Sequence, residues 1–322
     1  MPEPIGNREE VSRRRGVRWL LAAQASDGGW GYRPGHTAYV EPTALGALAL
    51  LQERRSTGEA AGLGRALERL RATQRPDGSW GISPADDSPS WMTAYATWAL
   101  LQAEGVLGER ALRPAIDSAL EWLLAEANPP VPLDQLEGLH RISRIDGALV
   151  GWPWFPGDAY WVFPTAISLV AAGLDGRTLD LRVRQGVAFL RDRVCEGGGW
   201  NIGNPYTFDK AFAPTVVDTS AALLALKAVG EGSSAVAVAG LARLLKLVSR
   251  ATSPVGLAWG ILSLRSYGVG VAEAQARLVS LQSPDGSWRA NAFATALAVL
   301  ALGSEPPFAA AARDRRDEAT RA

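Results

Sequence analysis

The sequence predicts an all-α protein, an (α/α)6 toroid in which six helical hairpins close into a ring. Three observations carry that expectation. A short tag recurs intact as Gln24-Ala-Ser-Asp27-Gly28-Gly29-Trp30, Gln74-Arg-Pro-Asp77-Gly78-Ser79-Trp80 and Gln282-Ser-Pro-Asp285-Gly286-Ser287-Trp288, and in worn form at Gly151-Trp152 and Gly197-Gly198-Gly199-Trp200. Each intact copy follows an amphipathic stretch, and most copies lead into an apolar one that starts near a Thr-Ala or Thr-Ser pair. Thirteen residues separate Trp30 from Thr43, Trp80 from Thr93 and Trp152 from Thr165. A tag held at one structural position along a chain marks one supersecondary unit used many times.

Taken in order, the first members of the hairpins are Val11–Gln24, Leu63–Gln74, Leu112–Ala127, Leu179–Val194, Ser234–Val248 and Val271–Gln282. Arg, Glu and Asp occupy one side of these, while Leu, Val, Ala and Trp recur at three- and four-residue steps on the other, the pattern of surface helices. The second members are apolar almost all round: Thr43–Leu51, Thr93–Leu101, Thr165–Ala172, Thr219–Val229, Gly256–Leu264 and Thr295–Leu302. Such helices belong inside. The fifth pair has lost its tag, and the fourth has a longer spacing, Trp200 to Thr219. Residues 1–10 read as a polar arm, 11–303 as the toroid and 304–322 as a charged tail that frays.

Within the tag, Asp-Gly is turn chemistry, with Gly supplying a positive φ. Trp offers a large apolar face and one N–H that needs an acceptor. Gln at the end of an outer helix can bridge to backbone groups of a neighbouring helix end. The tag therefore reads as a clamp between successive hairpins, with a ligand-contacting loop as the alternative.

Composition narrows the function classes. The chain has 322 residues, 47% hydrophobic, enough for a large core. Lys+Arg of 33 balances Asp+Glu of 33, so no field favours nucleic acid or an anionic membrane. Cys195 is the single cysteine, which rules out an internal disulfide and suits a reducing cytoplasm. The segment from Met1 to Arg15 is polar without an apolar core, and no apolar run approaches the ~18 residues of a membrane span. A cytoplasmic protein is expected, with peripheral membrane contact left open.

The repeated Gln-x-x-Asp-Gly-Ser-Trp on paired helices resembles the QW motifs of squalene–hopene and oxidosqualene cyclases, over Val11 to Gly303. Protein prenyltransferase β subunits share the toroid. The resemblance implies the (α/α)6 fold and an isoprenoid ligand, and it brings no cofactor. In the cyclases an Asp-x-Asp-Asp-Thr-Ala block opens one inner helix, and its middle Asp protonates the polyene. The matching stretch here is Pro214-Thr215-Val216-Val217-Asp218-Thr219-Ser220. Asp218 is the carboxylate retained, while Thr215 and Val217 stand where the first and middle ones would be. A proton donor to an alkene must be a carboxylic acid kept protonated, and Val217 cannot serve. The prenyltransferase zinc ligands would fall on Asp218, Ser220 and either Gly256 or Ala294, a set that does not hold zinc. Cys195-Glu196-Gly197 does not supply the Gly-Cys-Gly-Glu-Gln run of the thioester toroids of complement-like proteins.

A cavity lining remains. In such a ring the inner-helix N-termini meet at one mouth, where Glu41, Trp91, Trp161, Phe163, Asp218 and Phe293 converge. An aromatic-lined pocket suits a long hydrocarbon and stabilises a passing carbocation. Glu41 and Asp218 are the candidate acids; Trp91, Tyr95, Trp154, Trp161, Phe163, Phe212 and Phe293 are the candidate lining. Plain core packing is the alternative for each aromatic, and a helix N-cap before Thr219 is the alternative for Asp218. The segment Asn128–Pro156, with His140 and Asp146, reads as a long loop serving as lid or partner surface. Asn201–Ala213, with Tyr206, Phe208 and Asp209, reads likewise. Asp86-Asp87 lacks the spacing of a magnesium–diphosphate motif and reads as helix-start chemistry. Three readings follow: a terpenoid cyclase-like enzyme whose acid has moved to Asp218, Glu41 or a loop carboxylate; an isoprenoid or lipid carrier; and a toroid that docks a helical partner subunit. The first is the working expectation, because the implied pocket is of the reactive-cation type.

Overall fold

In the computed structural model, which describes residues 5–53, 56–125 and 131–304, the ring is closed. The outer helices are α1 (Ile5–Ala23), α3 (Thr57–Ala72), α5 (Arg113–Ala125), α8 (Leu181–Asp192), α10 (Ala235–Val248) and α12 (Ala272–Ser280). The inner helices are α2 (Val40–Glu53), α4 (Met92–Leu107), α7 (Val162–Leu174), α9 (Val216–Ala228), α11 (Pro254–Ser266) and α13 (Ala292–Leu302). Each inner helix packs on the next, and α13 packs back on α2. Their side chains are buried almost throughout, as the apolar pattern requires.

The tag is the clamp the sequence suggests. Each tag Trp donates its backbone N–H to the hydroxyl of the inner-helix Thr: Trp30 to Thr43 at 3.0 Å, Trp80 to Thr93 at 2.9 Å, Trp152 to Thr165 at 2.7 Å, Trp200 to Thr219 at 3.0 Å and Trp288 to Thr295 at 3.0 Å. The sequence separation varies from 7 to 13 to 19 residues, yet the bond persists. Each indole Nε1 donates to a carbonyl of its own outer helix, as Trp30 does to Leu20 at 2.8 Å and Trp200 to Leu190 at 2.7 Å. All five rings are buried, and each removes about 250 Å² from water, worth up to about 5 kcal/mol. The tag Gln crosses to the next hairpin: Gln24 to Gly62 O, Gln74 to Ala115 O and Gln282 to Ser12 O, each at 2.8 Å. The last of these closes the ring. Gly62 and Ser12 lie within the neighbouring helices, and Ala115 in the first turn of α5.

Gly28 shows why the turn demands glycine. Its φ is +88°, and a Cβ there would stand 2.4 Å from the carbonyl oxygen of Arg65 on the next outer helix.

Three expectations about organisation change. Residues 5–10 are helical where a polar arm over 1–10 was expected, so α1 begins upstream of Val11; residues 1–4 lie outside the described residues. Within α1, Ser12 and Arg13 are buried in the seams with the neighbouring units, Ser12 on Gln282 and Arg13 on Glu53. The segment Asn128–Pro156 is not structureless: it carries α6 (Leu133–Ser143) and the short strand β1 (Trp152–Pro153), which pairs with β2 (Tyr160–Trp161). Residues 126–130 and the tail 305–322 lie outside the described residues. The fourth unit absorbs its six extra residues in a hairpin of β3 (Tyr206–Thr207) and β4 (Lys210–Ala211), which packs on α6 through Phe208 N–H to Ile142 O at 3.0 Å. Among the described residues no helix is long and apolar enough to cross a membrane.

Candidate functional site

The five inner helices that carry the Thr start one to three residues before it, which places the preceding residues in or at the first turn of the helix. Two residues before the Thr, or before Leu257 at the same distance from its N-cap Ser253, lie Glu41, Trp91, Phe163, Val217, Val255 and Phe293. Four residues further on, on the same helical face, lie Leu45, Tyr95, Ile167, Ala221, Trp259 and Leu297. These two rows face the ring axis. Phe163 on α7 meets Trp259 on α11 edge-on at 5.6 Å, although α9 separates those helices around the ring.

The same mouth is laced by backbone bonds. The residue two past four of the five tag Trp accepts from the start of the preceding inner helix: Ile82 O from Val40, Trp154 O from Trp91, Ile202 O from Val162, and Tyr32 O from Ala292, at 2.9–3.0 Å. This brings Tyr32 and Trp154 over the ring opening. Trp154 stands 4.7 Å from Trp91 and stacks at 6.2 Å on Phe163; Trp91 in turn lies 5.3 Å from Tyr95 and 5.6 Å from Phe163. Tyr32 contacts Tyr39 at 5.2 Å and Phe293 at 6.2 Å.

The centre is therefore filled, which corrects the expected open cavity. Six helices at interaxial contacts of about 8–10 Å leave an axial gap only a few ångströms wide after side chains are added. Trp91, Tyr95, Trp154, Phe163 and Trp259 occupy it at successive levels. Two pockets at this end lie between the inner and outer layers, one lined by Trp91, Trp154 and Trp122 of α5 and one by Tyr39, Val40 and Leu70 of α3; each holds about 10 Å³, room for about one water.

Glu41 is the buried carboxyl of this cluster, 8% exposed in the first turn of α2. Tyr32 Oη donates to its Oε2 at 2.5 Å. Tyr95 Oη, fully buried on α4, also lies in hydrogen-bonding reach of the carboxyl. Burial pushes the Glu41 carboxyl up to about 7, against the pull of the two tyrosine hydroxyls in the other direction. Both phenols are driven well above their ordinary range, by burial first and by the Glu41 charge second. The carboxyl thus shares its site with neutral hydroxyls and aromatic faces, and it holds its proton near neutrality.

Asp218 is elsewhere. Glu41 and Asp218 sit on α2 and α9, opposite members of the inner ring. Asp218 stands one residue past the axis-facing row, a rotation of about 100°. It closes a helix cap with Thr215, whose Oγ1 accepts from Asp218 N–H at 3.0 Å and donates to its carboxylate at 2.6 Å. Burial raises its carboxyl and the Thr215 bond opposes the rise; its charge is felt by Cys195 in the outer layer. The N-cap itself is Thr215, with Asp218 as its reciprocal partner.

Of the expected lining, Trp91, Tyr95, Trp154, Phe163 and Phe293 join the cluster. Trp161 does not: it lies on β2, donates Nε1 to Asp158 at 3.3 Å, and sits beside Gly203. Phe212 does not either, being 49% exposed beside the β3–β4 hairpin. Trp161 follows from its place on β2, and Phe212 from its place just past β4, where its N–H bonds to Pro205 O. His140 contacts Ile145 O through Nδ1, and Asp86 accepts from Ile82 and Ser88 N–H in a loop turn before α4, so neither serves the site. Tyr32, Tyr39 and Trp259 are members that sequence reasoning missed. Tyr32 had a usable signal, because it stands two past its tag Trp as Trp154 does.

No protein-family model matches the chain, and no curated protein matches its sequence. Solved structures do. The type II terpene cyclase MstE from Scytonema, in complex with geranylgeranyl dihydroxybenzoate, superposes with TM-score 0.64 at 16% identity over 96% of this chain and 100% of the cyclase. The same cyclase in complex with merosterolic acid A gives 0.63 at 18% identity over 96% and 100%. The α-1,6-mannanase GH76A of Salegentibacter sp. HEL1_6, in complex with α-1,6-mannotriose, gives 0.61 at 11% over 96% and 99%. At these identities the likeness establishes the fold, a helical toroid of the terpene cyclase-like kind.

Proposed function

We propose that this chain is a terpene cyclase-like enzyme that initiates cyclisation of an isoprenoid by proton transfer from Glu41. One observation carries the reading: Glu41 occupies, on α2, the axis-facing position two residues before the unit's Thr, the register that Val217 occupies before Thr219 on α9. The acid of a six-fold repeat has moved to an equivalent post across the ring. Its surroundings suit the task, since burial raises the carboxyl to about 7, where a substantial share holds the proton near neutrality, and aromatic faces stand beside it. The isoprenoid substrate class is supported by the ligand of the structurally similar cyclase. A glycosidase would need two facing carboxyls, whereas the ionisable groups coupled to Glu41 are tyrosines.

In this scheme the Glu41 proton adds to a terminal alkene carbon, the cation closes rings, and loss of a proton from carbon returns the charge balance. The product is isomeric with the substrate, and the carboxylate is reprotonated from solvent. Entry requires Trp154 and Phe163 to swing off the axis. The test is incubation with squalene, farnesyl and geranylgeranyl diphosphates and a geranylgeranyl-substituted phenol in D₂O, with mass-spectrometric analysis. An isomeric product carrying one deuterium, lost in Glu41→Gln and retained in Asp218→Asn, is the expected result.

A second reading, a toroid that binds without chemistry, is favoured by the packed centre. It predicts no product from any of these substrates and no effect of Glu41→Gln on ligand or partner binding.

A further inference from the structure

Glu41 and Tyr32 are exceptions at repeated posts, and both belong to the first unit. On the axis-facing row of Glu41, Trp91, Phe163, Val217, Val255 and Phe293, Glu41 is the ionisable member. Among Tyr32, Ile82, Trp154 and Ile202, each two past its tag Trp, Tyr32 carries the hydroxyl. The two exceptions are bonded to each other, Tyr32 Oη donating to Glu41 Oε2 at 2.5 Å. An acid that gives its proton to carbon must regain one before it acts again. Glu41 is buried, so that proton has to come through a neighbour. Its two hydroxyl neighbours differ in this respect. Tyr95 is fully enclosed on α4. Tyr32 is half-buried at the mouth, and residues 33–37, which follow it, are all exposed. The backbone fixes Tyr32 there, with its carbonyl on Ala292 N–H and its ring against Tyr39 and Phe293.

Resting on the Glu41 reading above, we propose that Tyr32 returns the proton to Glu41 between turnovers, acting through that carboxyl and not on the substrate. The O–H bond of Tyr32 breaks as its proton passes to Glu41 Oε2, and a new O–H bond forms on Tyr32 Oη with a proton from a solvent acid. The net change is one proton moved from that acid to the carboxylate, and the phenol ends neutral. The two transfers are concerted, because burial and the Glu41 charge keep the free tyrosinate out of reach near neutrality. Tyr95, the enclosed hydroxyl, holds the carboxyl in place.

The test follows product from the first turnover onward in wild type, Tyr32→Phe and Tyr95→Phe. The substrates are squalene, farnesyl and geranylgeranyl diphosphates and a geranylgeranyl-substituted phenol, and imidazole buffer is varied at constant pH and ionic strength. In Tyr32→Phe the first turnover draws on carboxyls already protonated, so a burst of up to one equivalent of product is expected. Later turnovers should be slower than wild type by about tenfold or more, and should speed up as imidazole rises. Wild type and Tyr95→Phe should show no dependence on imidazole. Steady turnover of Tyr32→Phe at the wild-type rate overturns the inference and leaves Glu41 standing as the acid. A slow phase indifferent to imidazole, or loss of the first turnover as well, does the same, since either marks a structural effect. Imidazole dependence in Tyr95→Phe overturns the assignment to Tyr32. No product from wild type with any of the four substrates overturns both readings.

Discussion

Replacing Glu41 by Gln separates the titration of this carboxyl from every other property of the site. The amide keeps nearly the same shape and still offers an oxygen to the Tyr32 hydroxyl. In the folded chain the carboxyl is raised from 4.5 to about 7. The folded state therefore binds the proton more tightly than the unfolded chain. Folding carries no penalty from this group below pH 4.5, an increasing one as pH rises, and the full one above pH 7. At about 1.36 kcal/mol per tenfold change the full penalty is about 3 kcal/mol. With an unfolding entropy of about 2.1 cal/mol/K per residue over 322 residues, that corresponds to about 5 °C. Thermal unfolding of wild type and Glu41→Gln at pH 4.5 and pH 8 measures it. The melting temperature of the variant minus that of wild type should rise by about 5 °C between the two pH values. Any constant cost of the new amide cancels in this comparison. A difference that stays flat across the range refutes the claim that burial controls this carboxyl, and with it the case for a proton donor.

Three further outcomes follow from the frame. Gln282→Ala removes the donations to Ser12 O and Gly286 O and the acceptance from Ser12 Oγ at 2.7 Å, so stability should fall by about 2 kcal/mol in urea titrations. Faster amide exchange should concentrate at the α1–α12 seam. Gly28→Ala meets both positive φ and the Arg65 carbonyl, and should cost more than about 2 kcal/mol, while Gly64→Ala, exposed in α3 with open space, should be neutral or stabilising by about 0.5–1 kcal/mol. Equal effects at the two glycines would contradict the clamp geometry. Asp218→Asn keeps the capped N–H and an oxygen for the Thr215 hydroxyl, so stability should shift by less than about 1 kcal/mol and turnover stay unchanged, whereas a loss of turnover would restore Asp218 as the acid.

Much of the ring was legible in the chain itself. The tag Trp and its Thr are two ends of one hydrogen bond, so their thirteen-residue spacing announced a repeated unit. The changes to 7 and 19 residues are absorbed in the loops, because the bond constrains the ends and not the path between them. Helical periodicity likewise separated inner from outer members, since it depends only on neighbours within one helix. Glu41, Trp91, Phe163 and Phe293 were placed at one mouth on that basis, together with Trp161 and Asp218, which the structure turns away from the cluster.

What tertiary structure decided are quantities summed over several helices. The starts of the inner helices turned Val217 to the axis and Asp218 away from it, a one-residue offset invisible to apolar periodicity because both flanks of α9 are buried. Whether the centre is open or packed depends on the combined volume of side chains from α4, α7 and α11 and the loop bearing Trp154, and no segment carries that total. The protonation of Glu41 depends on the same burial, supplied by residues far away in sequence. Local patterns can determine which helices form and how they are clamped together; the space they enclose, and the charge it tolerates, belong to the closed ring.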